Sequence, residues 1–199
     1  LSTETGEFWK NFGEFNDVDP TKIQTEVFRL PATCFAEQDG SFTNSGRVIQ
    51  WHWKAADGPG EAKSDQEIIG TLFNKIRDLY KAEGGAFPDP ILNLTWNYTN
   101  KLSPDAGEVA REVSGRALVD LKDAAGQVIV PAGEQLAGFA QLDINGGTAC
   151  GNWIYSGCWG PTGNLTARRD TADPTGLGVF PGWGFSWPAN RRILYNRAS

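Results

Sequence analysis

An apolar stripe along residues 65–83 constrains the fold of this chain more than any other feature of its sequence. Seven apolar residues recur there at the i, i+4, i+8 and i+11 spacings of one helix face: Ile68, Ile69, Leu72, Phe73, Ile76, Leu79 and Tyr80. Ser64 and Glu67 have the spacing of a capping box, and Gly84 stands where helices commonly end. The pattern predicts a helix over Asp65–Glu83 that packs against something apolar.

The other predicted elements are shorter and indicate an α/β chain. A second helix is predicted from Pro104 to about Ser114, with Ser103 as its cap and with Val109 and Val113 one turn apart on one face. Strands are predicted at Thr25–Pro31, Arg47–Trp51, Gly126–Pro131 and Ala137–Leu142. From Asn145 onward there are ten of the 24 glycines and four of the eight tryptophans, with little periodicity. This part is predicted to be irregular and ordered by aromatic side chains that pack on a neighbour.

Composition excludes some classes of protein. The net charge of −6 argues against general nucleic-acid binding, which needs a clustered basic surface. No apolar run approaches the roughly 20 residues that span a bilayer. The chain starts at Leu1 and contains no Met, so a processed or partial polypeptide is expected. Its three cysteines, Cys34, Cys150 and Cys158, lack metal-binding spacing.

A loop is predicted over Glu37–Gly46. The segment Glu37–Arg47 is the first candidate site, because it gathers polar groups around a tight turn at Asp39 and Gly40. Its other polar side chains are those of Ser41, Thr43, Asn44, Ser45 and Arg47. Hydroxyl, amide and guanidinium groups beside exposed backbone N–H groups suit a phosphate or the polar edge of a heterocycle. The alternative is a hairpin whose Asn and Ser only satisfy its own backbone.

Two other features carry less chemistry. His52 is the only histidine, and between Trp51 and Trp53 a structural role is favoured over a catalytic one. The Arg- and Trp-rich run 146–199 has the chemistry to hold an anion or lock a carboxylate, and scaffold or subunit contact is favoured. Its indole rings also leave open a secreted carbohydrate-binding module. A structural subunit that docks on an iron–sulfur partner is a third interpretation.

Five stretches carry a family resemblance. L-P-A-T-C-F-A-E-Q-D-G-S-F-T-N-S-G-R-V-I-Q at 30–50 resembles a segment of the molybdopterin oxidoreductase superfamily. Four later stretches narrow the resemblance to the large (catalytic) subunits of formate dehydrogenases. They are W-I-Y-S-G-C-W, G-N-L-T-A-R-R-D, D-P-T-G-L-G and W-P-A-N-R-R-I-L-Y-N-R-A-S.

The resemblance implies an enzyme that oxidises formate to carbon dioxide at a molybdenum or tungsten centre held by bis(molybdopterin guanine dinucleotide). It further implies a 4Fe-4S cluster bound by upstream residues, an iron–sulfur (beta) electron-transfer partner subunit and a periplasmic location. The metal ligand and the proton-handling histidine of the family also lie upstream of the matching stretches. No catalytic or metal-binding residue is therefore assigned in this internal segment, and neither role is given to His52 or the three cysteines.

The resemblance also divides the chain. Residues 1–53 would end a Rossmann-like, pterin-binding domain, 54–144 would be a helical and short-strand segment, and 145–199 a Trp-, Gly- and Arg-rich segment leading to a C-terminal cap domain. Cofactor contacts are expected from Gly40, Ser41, Thr43, Asn44 and Arg47, and from Thr5 in a T-E-T element. The segment would supply cofactor scaffold and no metal ligand.

Overall fold

The computed structural model describes residues 28–186, together with residues 22, 24 and 26. The chain divides into two units, Leu1–Leu30 and Pro31–Ser199, and every helix and strand given below belongs to the second unit. Helices and short strands are mixed in it, as predicted. Residues 28–31 of the predicted strand Thr25–Pro31 form no strand, and a single bridge pairs Ala32 with Lys63.

Helix α1 has the predicted bounds, Asp65–Glu83. The Ser64 side chain accepts a hydrogen bond from the Glu67 backbone N–H at 3.1 Å, which satisfies one free donor of the first turn. Gly84 ends the helix with a φ of 72°, and its N–H donates to the Tyr80 carbonyl. Local capping chemistry therefore sets both ends. A short helix, α2 (Asp89–Leu92), follows.

Helix α3 spans Ala106–Ser114, two residues shorter at its start than predicted. Asp105, rather than Ser103, is the cap, because its carboxylate accepts the Glu108 N–H at 3.0 Å. Pro104 is buried against Gly70 of α1. A Cβ atom added to Gly70 would lie only 3.0 Å from the Pro104 Cδ. With Pro104 packed on α1, helix α3 starts at Ala106 rather than at Pro104.

A hairpin forms from β1 (Gly40–Thr43) and β2 (Ile49–His52), which pair antiparallel. The predicted strand Arg47–Trp51 is confirmed with a shift of one or two residues. The prediction of a loop over Glu37–Gly46 is wrong for β1, because β2 supplies the backbone partners that strand needs. Beyond the hairpin, the Ile49 N–H donates to the Gly184 carbonyl at 2.9 Å.

The remaining strands are very short. They are β3 (Arg116–Ala117), β4 (Leu121–Lys122), β5 (Val128–Val130), β6 (Thr148–Ala149), β7 (Trp159–Gly160) and β8 (Gly163–Asn164). They pair antiparallel as β3–β6, β4–β5 and β7–β8. The predicted strand over Ala137–Leu142 is wrong: Phe139–Gln141 form a 3-10 turn, closed by the Leu142 N–H donating to the Phe139 carbonyl at 3.0 Å.

The buried core of the described residues is small. Ala117, Val130 and Leu136 form its one cluster, with Leu121 and Leu142 packed on it. Among the large hydrophobic side chains of the described residues, only Leu136 is fully buried, whereas Ile69, Leu72, Leu79 and many others are exposed. Much apolar surface of the described part is therefore exposed. Within the described part, no helix is long and apolar enough to cross a bilayer.

Candidate functional site

The β1–β2 hairpin presents different chemistry on its two faces. Ser41 lies directly opposite Trp51, and Thr43 directly opposite Ile49, so these four side chains share one face. Ile49 and Trp51 are buried, while Ser41 and Thr43 are exposed. One face of the hairpin therefore sets two hydroxyl groups beside a buried apolar floor.

That face lines a cavity of about 400 Å³. The hairpin contributes Gly40, Ser41, Thr43, Ile49 and Trp51. Helix α3 contributes Ala106, Val109, Ala110, Val113 and Ser114. The volume lies within the range of about 300–1,000 Å³ typical of small-molecule sites.

The C-terminal irregular segment closes the cavity. It contributes Tyr155, Cys158, Trp159, Asn164 and Thr166, and α1 adds Gln66. The Trp159 ring meets Trp51 edge-to-face with centroids 6.0 Å apart, and Trp159 N–H donates to the buried Ser114 hydroxyl at 2.9 Å. Three stretches that carry the family resemblance, 30–50, 153–159 and 163–170, therefore meet around one cavity.

The described part of the cavity wall is uncharged, since none of its residues is Asp, Glu, Lys, Arg or His. Ser41 and Thr43 make no side-chain hydrogen bond to any other residue of the described part, so both hydroxyls are available to a ligand. Helix α3 and the two tryptophans supply the apolar surface. Such a site suits a flat, neutral ring system with polar edges rather than a bare anion.

The predicted contacts divide into two groups. Gly40, Ser41 and Thr43 line the cavity. Asn44 and Arg47 do not, because they build the hairpin turn: the Asn44 side chain accepts the Val48 N–H at 3.2 Å, and Arg47 takes a φ of 66°. The Asn44 side chain therefore bonds to the backbone of its own hairpin, which is the arrangement that the sequence left open as an alternative. Thr5 lies outside the described residues.

His52 sits on the opposite face of the hairpin. Its ring stacks on Phe42 at 4.6 Å between centroids and meets Phe35 edge-on at 6.2 Å. Its Nδ1 is buried without a hydrogen-bond partner. An imidazole held between two phenyl rings has a packing role, in line with the structural role that the sequence favours.

Cys158 is the one cysteine at the cavity. Its thiol is buried and lies 3.4 Å from the Phe185 carbonyl oxygen. Burial raises the pKa of Cys158 to about 12, although the carbonyl contact lowers it slightly. A protonated thiol is a poor nucleophile and a poor metal ligand. Among the described residues, no three His, Cys, Asp or Glu side chains form a group suited to a metal ion.

The paired arginines bind the chain itself. Arg168 donates to both carboxylate oxygens of Asp170, at 2.6 and 2.7 Å, and this contact holds the pKa of Asp170 below its usual range. Arg169 donates to the Trp51 carbonyl, and its guanidinium lies 5.0 Å from the centroid of the Trp53 ring. Both side chains therefore act as scaffold here, tying residues 168–170 to the hairpin. Residues 187–199, with their own Arg pair, lie outside the described residues.

A second cavity, of about 390 Å³, has the opposite character. Arg111, Arg116, Glu108, Glu112 and Glu134 are among its lining residues. Some polar groups at this second cavity already hydrogen-bond to each other, since Tyr98 donates to Glu112 and Thr99 donates to Glu108. Burial, with that contact to Glu112, raises the pKa of Tyr98 above its ordinary range. Because two carboxylates of this second cavity already accept hydrogen bonds from Tyr98 and Thr99, the first cavity is the candidate site.

Sequence reasoning missed most of the cavity. Val109 and Val113 were recognised as neighbours on one helix face, but nothing in the sequence indicated that they face the hairpin. The motifs at 153–159 and 163–170 gave a usable signal, since both resemble the same family as 30–50. The favoured role for them was scaffold, and Tyr155, Asn164 and Thr166 were not selected.

Comparison with known proteins identifies the class. Residues 28–75 match the sequence model of the family described as Molybdopterin oxidoreductase. Three similar proteins align with the whole chain. Formate dehydrogenase-O major subunit of Escherichia coli (strain K12) is 58% identical over 200 residues, covering 100% of this chain and 20% of that protein. The nitrate-inducible formate dehydrogenase major subunit of the same organism is 54% identical over 199 residues, again covering 100% and 20%.

The third, the formate dehydrogenase major subunit of Haemophilus influenzae, is 55% identical over 199 residues, covering 100% of this chain and 19% of that protein. The recognised resemblance to the molybdopterin oxidoreductase family is thus confirmed. Within that family its relatives here are major subunits of formate dehydrogenases. The chain spans about a fifth of their length. None of these names supports the carbohydrate-binding alternative.

Proposed function

We propose that this chain forms part of the catalytic subunit of a formate dehydrogenase, which oxidises formate to carbon dioxide. The segment supplies cofactor-binding scaffold and no ligand to the metal. The observation that carries the proposal is the convergence of the stretches 30–50, 153–159 and 163–170 on one cavity. Formate dehydrogenase major subunits that align with the whole chain support it.

The cavity fits one portion of a bis(molybdopterin guanine dinucleotide) cofactor. Free hydroxyls at Ser41 and Thr43, the Gln66 amide and an aromatic wall suit the hydrogen-bonding edges and faces of a neutral heterocycle. The phosphates do not fit the described part of the lining, because no cationic side chain there balances their charge. We therefore assign the cavity to an uncharged ring of the cofactor.

The chain's own residues would hold and shield that ring. Ser41 and Thr43 bind its polar edge, and Gly40 brings the β1 backbone to the cavity wall. Val109, Val113 and Trp51 exclude water from its faces. The protonated Cys158 thiol adds no competing ligand. When bound, the molybdenum or tungsten centre of the cofactor accepts the two electrons released by formate.

The wider assembly follows from the family resemblance. We propose a 4Fe-4S cluster bound by residues upstream of this segment, an iron–sulfur (beta) partner subunit and a periplasmic location. The division into 1–53, 54–144 and 145–199, with the first part ending a Rossmann-like domain, belongs to the same proposal. So do further cofactor contacts from Thr5, Asn44 and Arg47.

The test removes the two hydroxyls from the longer subunit that contains this segment. Thr43→Val with Ser41→Ala keeps the side-chain volume nearly constant while deleting both groups. Each lost hydrogen bond is expected to weaken cofactor retention about fivefold, since it contributes about 1 kcal/mol. Bound pterin is measured by the fluorescence of its oxidised form after dialysis, and bound metal by elemental analysis.

Thr95→Val is the matched control, because Thr95 is exposed and does not line the first cavity. Its pterin and metal contents should equal those of the unsubstituted subunit. Filling the cavity with Ala110→Trp should lower pterin content further. Full pterin retention in the double variant and in Ala110→Trp would contradict the assignment of the cavity.

A further inference from the structure

Helix α1 packs on the described part of the protein through its polar side. Gly70 is buried against Pro104 and the Leu102 carbonyl, where an added Cβ would lie 2.7 Å from that oxygen. The Asn74 side chain donates to the Lys101 carbonyl at 2.8 Å, and Arg77 donates to the Leu92 carbonyl at 2.7 Å. Positions 70, 74 and 77 lie on one face of the helix.

The apolar row of the same helix points elsewhere. Ile69 is 61% exposed, and Leu72 and Leu79 are each 56% exposed. With Ile76, these residues recur at i, i+3, i+7 and i+10. At about 100° per residue, the centre of this row lies about 150° from the packed face. Of the apolar face that the sequence predicted, Ile69, Leu72 and Leu79 are therefore left exposed by the described residues, whereas Phe73 packs on Trp96 with ring centroids 4.4 Å apart.

We infer that the docking row, defined as Ile69, Leu72, Ile76 and Leu79, packs against an amphipathic α-helix from another part of the same subunit polypeptide. Apolar residues that are alternately three and four positions apart form a seam along one side of a helix. A partner helix with the same spacing packs on such a seam by knobs-into-holes packing. A partner of that kind buries the whole row at once. Single apolar side chains from a loop would leave parts of it in water.

The length of the relatives decides which molecule supplies the partner. The inference rests on the proposed function, because it takes this chain as a segment of a longer formate dehydrogenase subunit. The matching segment covers only 20% of the formate dehydrogenase-O major subunit, so most of that polypeptide lies outside it. The small core of the described part, with Leu136 as its only fully buried large hydrophobic side chain, agrees with extensive cover from elsewhere.

The experiment places a photoreactive residue in the docking row of the full-length subunit. p-Benzoylphenylalanine replaces Leu72 in one variant and Ala82 in the control, since Ala82 is exposed and lies outside the row. After irradiation, cross-linked peptides are identified by mass spectrometry. We expect an intramolecular cross-link from position 72 to a segment outside these 199 residues, at a yield about tenfold above that from position 82, because the probe inserts only into groups in contact with it.

Other outcomes overturn the inference. A cross-link to a different subunit, to a second copy of the same subunit, or to residues within this segment would each assign the row another partner. No cross-link above the control would mean that the row faces solvent. Pterin content of the same preparation is measured separately, so a subunit that holds pterin without the cross-link contradicts only the docking. The reverse result contradicts only the proposed function.

Discussion

Gly40 packs directly on the imidazole ring of His52, its cross-strand partner in the hairpin. An added Cβ at position 40 would lie 2.9 Å from the His52 Nε2, which is closer than real Cβ contacts allow. The ring cannot retreat easily, because it stacks on Phe42 and meets Phe35. The only histidine of the chain thus fixes the strand whose hydroxyls line the candidate cofactor cavity.

Gly40→Ala should destabilise the chain by about 1–3 kcal/mol, the usual cost of overpacking a filled site. The midpoint of urea unfolding, followed by tryptophan fluorescence, measures the effect. Gly138→Ala is the control, since an added Cβ there meets no atom within 4 Å and its φ of 166° is ordinary extended backbone. Equal stability of the two variants would mean that the Gly40–His52 contact is looser than described.

Ser114→Ala should be destabilising although it removes a single oxygen atom. Ser114 is only 1% exposed, and its hydroxyl is the acceptor for the Trp159 backbone N–H. Leaving that donor unpaired costs about 1–3 kcal/mol. Ser103→Ala, in a less buried site, should be nearly neutral. Thermal unfolding of both variants checks the prediction, and an unchanged midpoint for Ser114→Ala would contradict it.

Arg169→Lys should destabilise the protein by weakening the contact between the C-terminal segment and the β1–β2 hairpin. Lysine lacks the planar group that donates to the Trp51 carbonyl while lying over the Trp53 ring. The expected loss is about 1.5–3 kcal/mol, as for hydrogen bonds to a charged group. Urea unfolding monitored by tryptophan emission reports it. Arg116→Lys provides the comparison, because Arg116 is exposed and its side chain makes no hydrogen bond or ion pair with the other described residues.

Cys158 should resist alkylation in the folded chain, whereas the exposed Cys34 should react readily. Mass spectrometry after iodoacetamide treatment at pH 8 distinguishes the two, and both should react in urea. The raised pKa also predicts a pH effect. The unfolded thiol loses its proton near pH 9 and the folded one near pH 12, so stability should fall as the pH rises through this window. The Cys158→Ala variant should lose the part of that dependence that begins near pH 9, whereas the part that comes from the raised pKa of Tyr98, beginning near pH 10, should remain.

Local chemistry in the sequence determined where helix α1 begins and ends, because Ser64 and Gly84 act on backbone groups within one turn of themselves. It also determined the family, since the motifs are contiguous stretches. Tertiary structure alone decided that Gly40–Thr43 is a strand, because its partner strand has to supply the hydrogen bonds.

Tertiary structure also decided that the polar side of α1 packs on the described part of the protein. Periodicity identifies an apolar face but not what covers it. The candidate cavity likewise joins Ser41 and Thr43 to Trp159 and Asn164, more than a hundred residues away. No local rule connects positions so far apart in the chain.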